Sequence, residues 1–218
     1  MKESYGYVFP DNTAPDATEE LQRAADRAAH FGGVLRITGT WHLSDAVYLH
    51  ENTSVRLENA QLFAAAGTPL FRNSVVRTVR ERTKLGCQSG ISFYGKESTL
   101  HGAIELFNVK NVVFDTLSFE GADASLVLMY ASGVDARHLT FRDAVSCIQC
   151  NIGTRNCFFT DIRAQGAKTL LRFDSERLPN ARRVNYAGPD VRNIIVRDAV
   201  GAENVTVGAY CRDILMTE

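Results

Sequence analysis

The residues best suited to chemistry are Asp123 and Asp143, each in a turn just ahead of a short alternating apolar stretch. If a repeating backbone stacks those turns, the two carboxyls approach to about 5 to 9 Å. One group can then protonate a leaving oxygen while the other activates water, which is the acid and base pair of glycosidic-bond hydrolysis. Arg172 offers a planar fork that grips a carboxylate through two charge-assisted hydrogen bonds, so it is expected to hold an acidic sugar. Alternation puts Asp174, Glu105, Gln149 and Asn151 on the same outward face, together with Ser125, Cys147 and Leu170. Glu105 and Asp174 are three repeats apart, about 14 Å, too far to act as a pair. Tyr130, Phe107 and Trp41 are available to stack on sugar rings. Lys168 is the base that an elimination would use, with Asp123 and Asp143 as carboxylates toward calcium. The plainer reading makes both aspartates turn residues and joins Arg172 to Asp174 in a surface ion pair.

Other chemistries find less support. His30, His42, His50, His101 and His138 never fall at metal-ligand spacing, and Cys147-x-x-Cys150 has no partner pair, so no metal site is expected. Five cysteines are too sparse for a disulfide framework and read as buried free thiols. Gly32-Gly33 follows a helical pattern instead of preceding one, so no phosphate cradle and no cofactor are expected. The 24 Lys and Arg residues are scattered among 25 Asp and Glu, leaving a net charge of −1. Without a basic patch to displace counterions, nucleic acid is not expected as a partner. No apolar run reaches the roughly 18 to 20 residues of a membrane span, and Met1–Gly6 lacks the apolar stretch of a signal peptide. The expectation is a soluble chain with no membrane partner, cytoplasmic unless an export signal has been removed.

The elements that must position these residues are short strands. One amphipathic helix is predicted over 16–33, with Asp16 and Glu19 as a capping box, Leu21, Ala24, Ala25 and Ala28 on one face, and Gly32-Gly33 as its stop. Beyond it the pattern alternates. The stretches starting at Ile104, Leu126, Ile148 and Leu171 begin 22, 22 and 23 residues apart, and each is followed by a second alternating stretch led by Asn111, Gly133, Asn156 or Asn193. Asn204, before Val205 and Val207, is assigned to the same turn column. Asn and Gly tolerate positive φ, and stacked Asn side chains can bond to one another.

A unit of 22 residues leaves no room for the helix of a βαβ crossover, and the Asn-Gly turns of hairpins are missing. The predicted fold is therefore all-β: a single right-handed parallel β-helix domain over 1–218, with about eight coils and the helix capping the first. Two excursions, 67–90 and 174–190, break the rhythm and are expected to wall a groove. No cap follows Met216, so the C-terminal end is expected to be covered by a second copy of the chain, or bare because the chain is a fragment.

Asp11-Asn12-Thr13, Thr18–Ala24, Gly32–Ile37 and Leu57–Leu62 together resemble the N-terminal opening of the pectin-lyase-like β-helix superfamily, and Gly67–Asn73, Gly95–Gly102 and Gly153–Cys157 continue the likeness. Within it the chain is most similar to polygalacturonase-type glycoside hydrolases and their bacterial and phage relatives. The resemblance implies a carbohydrate-active protein, a hydrolase acting on a polysaccharide. The family's Asn-x-Asp and paired aspartates are absent here; the corresponding positions are Asp123–Ser125, Val145–Cys147 and Lys168–Leu170. His101-Gly102 precedes the repeats and reads as a turn, and Arg172 matches only the arginine of the family's Arg-x-Lys. These departures keep two alternatives open, a noncatalytic glycan-binding or structural β-helix such as a tailspike-like segment, and a polysaccharide lyase or epimerase.

Overall fold

The computed structural model describes residues 3–4, 7–8, 15–73, 87–174, 190–201, 204–208 and 211–217. Short strands with inward apolar residues bury them by stacking coil upon coil, so that every backbone group pairs with the equivalent strand of the next turn. The register obeys this. Ile104 lies opposite Leu126, Leu126 opposite Ile148 and Ile148 opposite Leu171, all parallel. The column continues to Phe71 and Val47 on one side and to Val205 on the other. These strands make a front sheet of seven. The rest of each coil forms a larger, bent sheet of thirteen strands running from Glu3–Ser4 to Cys211–Thr217. The chain is thus a parallel β-helix.

Between the sheets lies one continuous apolar core. Leu35, Val55, Phe93, Phe114, Ala136, Phe159 and Val196 stack in a single inward column of the bent sheet. Phe93 and Phe114 meet almost parallel at 5.3 Å between ring centroids. Cys147, Cys150 and Cys157 are buried as free thiols, and Cys87 is exposed.

Corners are where the backbone leaves the extended region. Gly32, Asn52, Gly90, Asn111, Gly133, Asn156, Asn193 and Asp213 all have φ between 53° and 73° and follow one another in register. Asn193 donates to the Asn156 side-chain oxygen at 2.7 Å, so the expected amide ladder is present. Asn204 does not belong to it. Val205 pairs with Leu171 in the front sheet, and the last member of the column is Asp213.

The N-terminal helix, Thr18–Phe31, seals the first coil. It begins two residues later than expected and has no capping box: its cap is Ala17, which makes no side-chain bond, and Gly32 closes it in a left-handed conformation. Asp16 is occupied elsewhere. Its carboxylate accepts bonds from the Ser44 hydroxyl and from the Thr18 hydroxyl and backbone N–H, clasping the helix start to the coil beneath. Further along, the Gln22 amide donates to the Tyr48 carbonyl at 3.0 Å and accepts the Tyr48 N–H at 2.7 Å. One side chain thereby supplies both partners that a neighbouring strand would give an open sheet edge. At the opposite end Val205, Val207 and Met216 continue the inward columns yet are exposed. No described helix is long and apolar enough to cross a membrane.

Candidate functional site

A change in corner length makes a cleft. Phe63 pairs with His101, and Leu100 with Phe119, so Phe63, His101 and Glu120 end the same strand position in three successive coils. The next front-sheet residues are Phe71, Ile104 and Leu126, which pair in turn. Seven residues therefore cross the first of these corners, two the second and five the third. The short corner, Gly102-Ala103, lies as a floor between two taller walls. The result is a cleft of about 510 Å³ lined by Ala64–Pro69 on one side, Glu120–Ala124 on the other, and His101, Gly102, Ala103 and Glu105 at its base. Gly102 is needed for that floor, because a Cβ there would sit 2.7 Å from the Ala64 methyl and 2.9 Å from Leu70.

Its chemistry is acidic with one imidazole. Glu105, Glu120 and Asp123 line the cleft, and among the described residues no Lys or Arg does. Arg72, from the adjacent coil, donates from Nε (2.9 Å) and Nη2 (2.7 Å) to the same oxygen of Glu105, fixing its orientation and leaving the other oxygen outside that fork. Neither Glu120 nor Asp123 pairs with a cation among the described residues. His101 is the end of a ring ladder. Its imidazole stacks on Phe63 at 4.2 Å, and Phe63 stacks on His42 at 5.0 Å. Phe63 covers one face of His101, and the other is turned toward the coil of Glu120. At the far end His42 and Phe63 border a second, shallower cleft with Asp16 and Ser44.

The sequence-predicted residues divide between this cleft and other faces. Asp123 and Glu105 are in it. Asp143 is not aligned with Asp123: Ala124 pairs with Ser146 and Glu120 with Arg142, which places Asp143 level with Gly121, in a left-handed turn (φ 51°) with its carboxylate over Gly166. Arg172, Gln149, Asn151 and Asp174 form a separate patch on the outer face of the front sheet, Gln149 and Asn151 two coils from Glu105 and Arg172 and Asp174 three. There Arg172 pairs with Asp174 at 2.8 Å, as the plainer reading held. Lys168 is an exposed corner residue whose carbonyl accepts a bond from Asn204.

Several expectations are corrected. Tyr130 is only 9% exposed, its ring edge-on to Phe107 and directly over Gly153, so it has no face to offer a sugar. Any side chain at Gly153 would meet it, since a Cβ there falls 2.3 Å from the ring. Trp41 is buried and donates to the Thr38 carbonyl. Ser125, Cys147 and Leu170 were expected to face outward and are buried. Strict alternation fails where a coil turns its corner, because two successive side chains there point toward the axis. The Ser125 and Ser146 hydroxyls are left without a protein partner. Burial in apolar surroundings pushes the Cys147 and Cys157 thiols up to about 12. Most of the two excursions, 74–86 and 175–189, lies outside the described residues. No cluster of three or more metal-ligating side chains occurs among the described residues. His101 closes a strand instead of forming the expected turn.

No family model and no curated protein matches the chain. Solved structures do. A candidate glycosyl hydrolase from Parabacteroides merdae is 11% identical with a TM-score of 0.56, covering 97% of this chain and 96% of that one. The tailspike protein of Escherichia coli bacteriophage HK620, in complex with a hexasaccharide, is 13% identical with a TM-score of 0.61; the match covers 96% of this chain and 47% of the tailspike, so the chain spans about half its length. Endo-xylogalacturonan hydrolase from Aspergillus tubingensis is 13% identical with a TM-score of 0.50, at 96% and 71% coverage. At such identities the likeness is one of fold alone, that of a parallel β-helix.

Proposed function

We propose that the protein is carbohydrate-active and hydrolyses a polysaccharide held in the cleft between Ala64–Pro69 and Glu120–Ala124. The observation that carries this reading is that three carboxylates, Glu105, Glu120 and Asp123, line with His101 one depression of about 510 Å³. Hydrolysis needs one carboxylic acid to protonate the glycosidic oxygen and one carboxylate to draw a proton from water on the opposite face. Asp123, on the rim, is assigned the first role. Glu105, oriented by Arg72, suits the second. The neighbours named as hydrolases, and the tailspike with its bound hexasaccharide, support a glycan as the ligand.

The test is release of reducing ends from a polysaccharide panel. Asp123→Asn and Glu105→Gln are expected to lower turnover by at least about 100-fold with binding retained, the usual scale for losing a general acid or base. Asp143→Asn is the control that distinguishes the pairing expected from sequence. Loss of turnover there, with Glu105→Gln active, would move the second carboxylate to Asp143. Full activity in Asp123→Asn would exclude the cleft as a catalytic site. One observation favours a noncatalytic glycan binder: Asp143 is turned over Gly166 and does not join Asp123. Such a protein would retard in a polysaccharide gel and release neither reducing ends nor an ultraviolet-absorbing unsaturated product.

A further inference from the structure

The charge of the cleft sets the class of glycan it can hold. We infer that it takes an uncharged or amino-substituted polysaccharide and rejects polyuronates, an inference that rests on the cleft being the glycan site proposed above. Three carboxylates face one space; among the described residues Arg72 is committed to Glu105, and Arg142, level with Glu120 one coil on, is not part of the lining. Every remaining wall residue from Ala64 to Pro69 and from Gly121 to Ala124, Asp123 excepted, is uncharged. A sugar carboxylate entering here would meet like charges with no Lys or Arg in the described lining to receive it. Near a protein surface like charges sharing one space repel, and salt weakens the repulsion.

The residue that would grip an acidic sugar is elsewhere. Arg172 is three coils from Glu105 and already bonded to Asp174. Carboxylates in a cleft of this kind accept hydrogen bonds from sugar hydroxyls and, more strongly, from ammonium groups. The ring edges of the His42–Phe63–His101 ladder border the same path and add apolar contact without adding anionic attraction. The second cleft, at the His42 end, repeats the pattern, with the Asp16 carboxylate and the His42 ring in its lining.

The experiment is a binding titration against soluble glycans sorted by charge: dextran, xylan and galactan as neutral chains, chitosan oligomers as amino-substituted ones, polygalacturonate and alginate as polyuronates, each at 20 and 200 mM salt. The folded wild-type protein is expected to bind at least one neutral or amino-substituted chain, and to bind both polyuronates at least about tenfold more weakly. In the Glu120→Gln/Asp123→Asn double variant, checked for folding by circular dichroism, that discrimination is expected to shrink by about tenfold. A polyuronate bound as tightly as the best neutral chain, or a discrimination unchanged in the double variant, overturns the inference while leaving the glycan site standing. Absence of binding to every chain overturns the carbohydrate reading itself, and the inference with it.

Discussion

Single residues divide by which way their Cβ points, and stability should follow that division. Phe114 is fully buried and stacked on Phe93, so Phe114→Ala should cost about 3 to 5 kcal/mol through the cavity it leaves. Val127 points outward from the front sheet and Arg172 forms an exposed pair, so Val127→Ala and Arg172→Ala should each stay within about 1 kcal/mol. Chemical denaturation of the three variants checks this, and comparable losses would reverse the inside-outside assignment. Thiol chemistry gives a second readout. Cys87 should react in the native protein, Cys211 more slowly, and Cys147, Cys150 and Cys157 only after unfolding, because burial keeps them protonated as well as covered. At this scale the sequence was legible within strands and misleading at their ends. Alternation assigned Phe114 and Val127 correctly and failed for Ser125 and Cys147, where the backbone turns. Tyr130 was misjudged for a related reason: it occupies a left-handed corner position (φ 51°), where ring and neighbouring glycine pack together.

Elements carry the next set of consequences, and the helix cap shows them most directly. Bonds from the Ser44 hydroxyl and then from Thr18 hold the Asp16 carboxyl well below the usual carboxylate range. A depressed folded-state value means that this clasp stabilises the protein fully above about pH 4, where the unfolded chain's aspartates are ionised, and is lost as pH falls through the folded-state value. Melting midpoints measured from pH 7 down to pH 2 should therefore decline in acid. Asp16→Asn should start lower and decline less; an identical slope would show that the clasp is not the group being titrated. Gln22→Ala tests the other attachment, since it strips the Tyr48 N–H and carbonyl of their partners, each typically costing about 1 to 3 kcal/mol when left unmet in a buried setting and less here, where Tyr48 is partly exposed. The helix itself was readable from its four buried apolar positions, Leu21, Ala24, Ala25 and Ala28. Its means of attachment was not, because Asp16 and Gln22 bind residues that lie 26 to 28 positions away in sequence and come near only through the coil.

On the scale of the whole molecule, the repeat made the fold legible and hid the cleft. Aligning the chain on Ile104, Leu126, Ile148 and Leu171 recovers every coil after the cleft floor and begins just past it. The signal was present one strand earlier. Leu100, Phe119 and Phe141 stack in register, yet they precede Ile104, Leu126 and Ile148 by four, seven and seven residues. The cleft is that difference of three. Strand registers on either side are unbroken, so the depression costs the core nothing and can be changed without touching it. Adding three small residues between Gly102 and Ala103 should bring the floor level with its neighbours, filling the cleft while the aromatic stacks and the melting midpoint stay nearly as they were; glycan binding would vanish from a protein of undiminished stability. The same operation run in reverse suggests a way to move the site. Shortening the corner Asp143–Cys147 to two residues would open an equivalent hollow two coils further along the cylinder, floored by whatever side chains stand there. In a solenoid of this kind, the location of a binding site can be edited through the length of a turn.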